Sequence, residues 1–470
     1  MKEPITLIKG DDVGVETDYR DALPVNMFAV NRPILGAQGY MLEHDGLVEF
    51  ATGQGIDRGA VYNERFSTHY RLSGTSLLAI NAAGVTTVLG AIPGASQARL
   101  EDFYSFNTQG IIADDKFFLY DATTGFREVT DADLGSPIDG IWIDGYYFMT
   151  DGEYLFHTDL TDESAIDPLK FATAEFMPDP SIGLSKTQDN KVAVWGRYSL
   201  EYFVNVATDN FAFTRVPTRA QKIGIVATHA KCESDGAFYI VGGRKGESVS
   251  VHLVSLGAVQ HIATREIDKV LAKYTEPELS DIRVESRLDK NTNFILVHLL
   301  EETLCFNKTV AATMGVDVAW SVLRTGVNVG DNYRAINGIF DARNALWLYG
   351  DKIATTIGKL DDTVATHYGE IVECILFSPF FKLENNSIDQ IEIEIIPGHT
   401  AFLDGKVAIS FTYNGVTYGT EAWLVYGEPN DYSKRFIARR LGFVRDWVGI
   451  KLRIASKTKV AFALMEVTYS

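Results

Sequence analysis

Three residue clusters in this 470-residue chain have types and spacing that could do chemistry. Gly242-Gly243-Arg244-Lys245-Gly246 is glycine-rich and basic, as a phosphate cradle must be. It lacks the Walker spacing and the trailing Lys-Ser/Thr, and reads as a hairpin tip. Asp289-Lys-Asn291-Thr-Asn293 begins like a calcium loop. Phe294 then stands where that loop needs glycine, and Leu300 where it needs its last acid. The histidines are scattered, so His252, His261 and His298 can meet only through the fold. No G-x-S-x-G elbow, H-E-x-x-H helix or sialidase Asp-box occurs. Asp11-Asp12 and Asp361-Asp362 fall in turns, and paired acids serve glycoside hydrolysis only when they flank a cleft. No metal or cofactor is implied.

The fourth cluster is electrostatic. Lys434 to Lys459 holds nine Lys or Arg against the single acid Asp446, a net +8 in a chain of −19, so the remainder carries −27. A basic patch on an acidic body faces a polyanion, an acidic partner, or its own acidic neighbours. Apolar residues from Phe436 to Ile454 interleave with the charges, strictly so over Ile450 to Ile454. The stretch is therefore predicted as two strands with a basic outer face. Lys434, Arg435, Arg439, Arg440, Arg445, Lys451 and Arg453 are its candidate docking residues.

Elements elsewhere must position these residues. With 46% hydrophobic and 22% charged residues the chain is globular, and its length asks for two or three domains. Cys232, Cys305 and Cys374 are distant and odd in number, which suits a reducing cytosol rather than a disulfide frame. The N-terminus meets acids before any apolar signal region, and no apolar run reaches the roughly 18 residues a membrane span needs, so neither signal peptide nor membrane anchor is expected.

The pattern is β throughout. Asp139 to Thr158 carries Asp-Gly pairs at 139, 144 and 151, each predicted as a turn between strands Ile141–Ile143, Tyr146–Thr150 and Tyr154–His157. Similar cassettes recur roughly every 40 to 55 residues, the spacing of β-propeller blades. Six or seven degenerate blades over 41–370 are expected, with an N-terminal arm at 1–40. A helix pair is expected at 265–282, from the apolar period of Ile267, Val270, Leu271 and Tyr274 and a capping box from Thr275 to Glu278. From 371 to 470 a β-sandwich is expected, its strands including Gln390–Ile396, Val407–Tyr413 and Val416–Tyr418 around an Asn414-Gly415 turn.

Blocks along the whole chain resemble one family. They include Asp21-Ala-Leu-Pro-Val-Asn-Met27, Ser199-Leu-Glu-Tyr-Phe203, Gly257-Ala-Val-Gln-His-Ile-Ala-Thr264, Trp320-Ser-Val-Leu-Arg-Thr-Gly326, Leu376-Phe-Ser-Pro-Phe-Phe-Lys382 and Glu428-Pro-Asn-Asp-Tyr-Ser-Lys-Arg435. In consistent order, these are similar to the packaged-DNA stabilisation, or tail hub, proteins of short-tailed phages. The first 200 residues depart from the pattern in their loops.

The resemblance implies a structural virion protein, not an enzyme. It implies a homo-hexamer below the portal-bound adaptor, made in the host cytoplasm and placed in the virion tail. The ring closes the DNA exit, carries a needle or plug and tail fibres or spikes, and lets genomic dsDNA pass without sequence-specific binding. The N-terminal arm and the 265–282 helices become candidate subunit or adaptor contacts. A carbohydrate-binding or glycan-cleaving propeller is the alternative.

Overall fold

The computed structural model describes residues 1–12, 20–103, 107–328, 330–395 and 405–470. Among them seven small antiparallel sheets follow one another along the chain, each hydrogen-bonded to itself and packed on the next. They are the blades of a propeller. The expected six or seven are seven.

The first blade runs Asp57–Asn63, Thr68–Ser73, Ser76–Ile80 and Thr86–Ala91. The seventh takes Ala335–Asp341, Leu346–Asp351 and Thr356–Asp361, and its outer strand is Gly46–Thr52, from the other end of the chain. That strand pairs Gly46 with Asp361 and Thr52 with Thr356. The ring is thereby closed by hydrogen bonds between segments some three hundred residues apart.

Turn chemistry explains most hairpins. Asp144 and Gly145 both adopt positive φ, 50° and 92°, as a two-residue hairpin turn requires. Asp139-Gly140 is the exception to the predicted turns. It lies inside strand Asp139–Ile143, the first strand of the third blade. A Cβ on Gly140 would meet Ile112 Cδ1 at 2.5 Å, so the glycine there serves close packing of neighbouring blades.

The helical interruption sits between the fifth and sixth blades. Arg265–Leu271 is an α-helix, but the second element, Glu278–Asp281, is a single 3-10 turn. Glu278 reaches back to the Thr275 N–H at 2.7 Å, so half of the capping box forms. Ile267, Val270, Leu271 and Leu279 pack into the core of the fifth and sixth blades. A helix absent from the sequence reading, Lys308–Met314, starts on Asn307, whose side chain accepts from Val310 N. Its Val310 and Met314 pack into the core of the second domain, riveting propeller to sandwich.

The sandwich has two sheets. One holds Met27–Val30, Tyr40–Glu43, Ala461–Tyr469, Asn386–Ile395 and Phe436–Val444 in that order, with Lys2–Thr6 also paired to Ala461–Tyr469. The other holds Glu373–Phe377, Trp447–Ala455, Lys406–Thr412 and Ala422–Val425. The described residues of the expected arm at 1–40 are therefore not an arm apart. Lys2–Thr6 and Met27–Val30 are strands of the C-terminal sheet, and Tyr40 opens a third, with Ile5, Leu7 and Met27 in the core. Val416–Tyr418 is not a strand. Asn414 Oδ1 accepts from Val416 N and Thr417 N, which curls the chain into a loop instead. Ile396, last residue of the expected strand Gln390–Ile396, lies outside the described residues.

The two bodies meet at Glu43-His44-Asp45. Asp45 holds Lys459 of the sandwich and Lys290 of the sixth blade. Glu43 is buried, accepts from Val460 N at 3.1 Å and from Cys374 Sγ at 3.2 Å. Burial pushes its carboxyl up to about 7, against the opposing pull of Cys374, Val460 and Lys459. An unfolded glutamate titrates near ~4.3. Native chains therefore bind more protons than unfolded ones between those values, and stability falls as pH rises through that window. Glu43→Gln is expected to gain about 1–3 kcal/mol over wild type at pH 8 and nothing at pH 4.5, read by urea unfolding at both pH values. An equal effect at the two would contradict this.

Candidate docking surface

The basic stretch folds as two strands, Phe436–Val444 and Trp447–Ala455, but they belong to different sheets of the sandwich. The turn at Arg445 and Asp446 carries the chain from one sheet to the other. Phe436–Val444 is the last strand of its sheet and pairs on one side only, with Asn386–Ile395.

Each candidate residue has a definite place. Lys451 and Arg453 alternate with buried Ile450, Leu452 and Ile454, as the period-two pattern requires. Their face is not free. Lys451 Nζ lies 4.6 Å from the centre of the Tyr418 ring, and the Arg453 guanidinium 5.0 Å from that of Trp423. Arg453 also donates to Glu421 at 2.6 Å and to Glu373 at 3.4 Å. These hydrogen bonds raise the arginine and hold the Glu421 carboxyl below its ordinary range. Arg435 forks onto buried Glu392 at 2.6 and 2.7 Å. Three of the seven candidates thus answer acids or aromatic rings of their own domain.

The other four do not. Lys434, Arg439, Arg440 and Arg445 make no ion pair among the described residues. Arg439 donates only to the neutral Gln390, at 3.2 Å. Arg440 holds a left-handed φ of 60° where the register slips between Ile388 and Gln390. A β-bulge of this kind re-aims side chains at an edge strand. Beside them Phe443 is 57% exposed and Trp447 47%. The surface that remains is a basic edge carrying two large aromatic residues. The aromatic half was in the sequence, but the exposure of Phe443 follows from its edge strand and that of Trp447 from its place beside the turn at Arg445 and Asp446, which periodicity does not reveal.

Two other charged groupings came together only through the fold. His261 Nε2 meets Ser250 Oγ at 2.8 Å and Asp268 at 3.3 Å, with His252 alongside. Both partners use the same ring nitrogen. A serine nucleophile needs the acid on the opposite nitrogen, so this trio does not make a relay. His298 is elsewhere, its Nε2 donating to the Glu285 carboxylate at 2.9 Å inside the sixth blade. The calcium-like segment is a tight turn, with Lys290 and Asn291 at φ 46° and 67°. Among the described residues no group of three His, Cys, Asp or Glu is placed to hold a metal ion.

Deeper in the propeller, charges pair across blades. Asp139 of the third blade holds Lys231 of the fifth at 2.8 Å. Asp57 and Arg71 of the first blade lie with Asn337 of the seventh.

The architecture is a closed seven-bladed propeller riveted to a β-sandwich whose outer edge is basic and aromatic. The chain belongs to the Bacteriophage P22 Gp10 family, whose beta-propeller part matches residues 3–365 and whose beta-sandwich part matches residues 373–470. Tail hub protein gp10 of Salmonella phage P22 is 28% identical over 462 residues, covering 95% of this chain and 94% of that one. The family met in the sequence blocks is thus the one that matches. Among solved structures, virginiamycin B lyase of Staphylococcus aureus superposes with a TM-score of 0.43 at 10% identity over 67% of this chain and 98% of that one. The extracellular domain of the one component system BT4673 of B. thetaiotaomicron gives 0.44 at 12% identity over 88% and 58%. Likenesses at that distance say nothing of function.

Proposed function

We propose that this chain is a structural tail hub of a phage virion. Six copies form a ring below the portal-bound adaptor, close the DNA exit, and present a platform for a needle or plug and for tail fibres or spikes. The observation that carries this is the end-to-end likeness to a tail hub protein, propeller and sandwich together. A net −19 per subunit favours a lumen that repels the phosphate backbone, so dsDNA slides without sticking. The protein acts by holding partners, not by turning over a substrate.

The deciding experiment adds the purified chain to a portal–adaptor complex and images it by electron microscopy. A six-fold ring below the adaptor is expected; persistent absence of any added density overturns the reading. Within that assay, reversing Arg439 and Arg440 to glutamate should weaken ring formation, since both are exposed and unpaired. Intact rings on virions that leak DNA would instead place the basic edge at the channel.

A further inference from the structure

The propeller carries a second surface that complements the basic edge. A recess of about 740 Å3 opens between the sixth and seventh blades. Exposed Ile56, Leu300 and Ile353 stand at it, and Glu278, Asp281 and Asp331 line it. None of the three carboxylates has an ion pair among the described residues. The cations nearby do not offset them. Arg334 is committed to Asp351 at 2.6 Å, and burial pushes Lys352 down to about 7 despite the charges of Glu285 and Asp351. The recess is therefore aliphatic and anionic, where the sandwich edge is aromatic and cationic.

Strand directions place the two surfaces apart. Strand Thr292–His298 has the Lys290 turn at one end and the Leu300 loop at the other. Lys290 touches Asp45 and Asp362, beside Lys459 of the sandwich. The recess at Leu300 is on the opposite face, about 20 Å away at ~3.3 Å per residue. In the sandwich, strand Ala461–Tyr469 begins against Leu42 near that junction and ends opposite Ile388. Ile388 in turn pairs with Gly442, next to Phe443. The basic edge thus lies at the sandwich end remote from the propeller junction. One chain cannot bring its own two surfaces together, but a second copy can.

We propose that the Arg439–Arg440–Phe443 edge of one copy docks into the Glu278–Asp281–Asp331 recess of the next. The occupant is a second copy because charge and apolar character match in both halves, and because unlike patches joined head to tail propagate around a ring. Closure of that ring at six rests on the hub reading; the pairwise contact does not. Each contact places arginines against carboxylates and an aromatic ring against Leu300 and Ile353, which removes two exposed apolar patches from water at once.

Two chains, each with one added cysteine, test this, Leu300→Cys and Phe443→Cys, joined by a bismaleimide linker at high protein concentration without adaptor. The native thiols Cys305 and Cys374 are buried and Cys232 is half-buried, so each chain alone serves as the control for coupling through a native thiol. A cross-linked dimer is expected in the mixture and not with either chain alone. Adding R439E/R440E to the Phe443→Cys chain should cut the yield about tenfold, and E278K/D281K on the other chain should restore it. D281K alone is the milder variant, as Asp281 makes no side-chain hydrogen bond among the described residues, whereas Glu278 holds Thr275. Equal cross-linking in all samples, none in the mixture, or indifference to charge reversal each overturns the contact. Rings that form on portal–adaptor complexes with both surfaces reversed in sign one at a time would sink the contact and leave the hub reading standing. Cross-linking without adaptor recruitment would do the opposite.

Discussion

Replacing Arg71 with methionine is expected to lower the stability of the propeller by about 3–5 kcal/mol, the cost of breaking a buried ion pair from one side. The Arg71 side chain is 0% exposed and that of Asp57 3%. Arg71 donates to Asp57 at 2.7 Å, to the Asn337 carbonyl at 3.0 Å and to the Leu348 carbonyl at 3.3 Å. The first residue pair belongs to the first blade and the two carbonyls to the seventh, so this guanidinium spans the seam at which the ring closes. Methionine fills similar volume but leaves Asp57 with Asn337 as its side-chain partner. Burial already holds the Asp57 carboxyl above its ordinary range with Arg71 beside it. Without the arginine it rises further, and the variant should lose most stability above pH 6, where unfolded aspartate is ionised. The double variant D57N/R71M should recover part of the loss, because removing both charges spares the desolvation of one left alone. Urea unfolding of the three proteins decides it. A single-variant loss under about 1 kcal/mol would mean that water reaches the seam.

That seam also shows why some of this fold is legible in sequence and some is not. Asp144-Gly145 and the alternating strands around it announce hairpins because turn and period are local properties. The closure of the seventh blade is hidden because its outer strand, Gly46–Thr52, is supplied from the opposite end of the chain. Asp139-Gly140 has the composition of a turn yet sits in a strand, since an interblade contact needed an absent Cβ and a buried acid for Lys231. At the candidate docking surface the alternation of Ile450 to Ile454 correctly puts Lys451 and Arg453 on one face. What covers that face, Tyr418, Glu421 and Trp423, comes from the loop and edge strand after Asn414 and follows no period. The anionic recess was invisible for the same reason: Glu278 and Asp331 are adjacent only because consecutive blades are.

Deletion of residues 1–12 is expected to destabilise the sandwich by about 3–6 kcal/mol, from the loss of two buried aliphatic side chains at about 1.5–3 kcal/mol each. Lys2–Thr6 pairs with Thr468 through Leu464 of the final strand, and Ile5 and Leu7 are 5% and 2% exposed. The deletion would also leave that final strand without the neighbour that covers Met465 and Val467 backbone groups. The consequence should reach beyond the sandwich. Tyr40–Glu43 pairs with Ala461 and Phe462, and Gly46–Thr52, the strand that closes the propeller, follows it after two residues. A sandwich that frays at its first and last strands therefore loosens the anchor of the closure strand. Calorimetry of the isolated, unassembled chain separates this from an arm reserved for a neighbouring subunit. If residues 1–12 serve their own sheet, the free monomer melts earlier and a sandwich transition shifts first. If they serve a neighbour, the free monomer melts unchanged and only ring formation is lost. The continuous ladder from Lys2 to Thr6 and the two buried side chains require the first outcome.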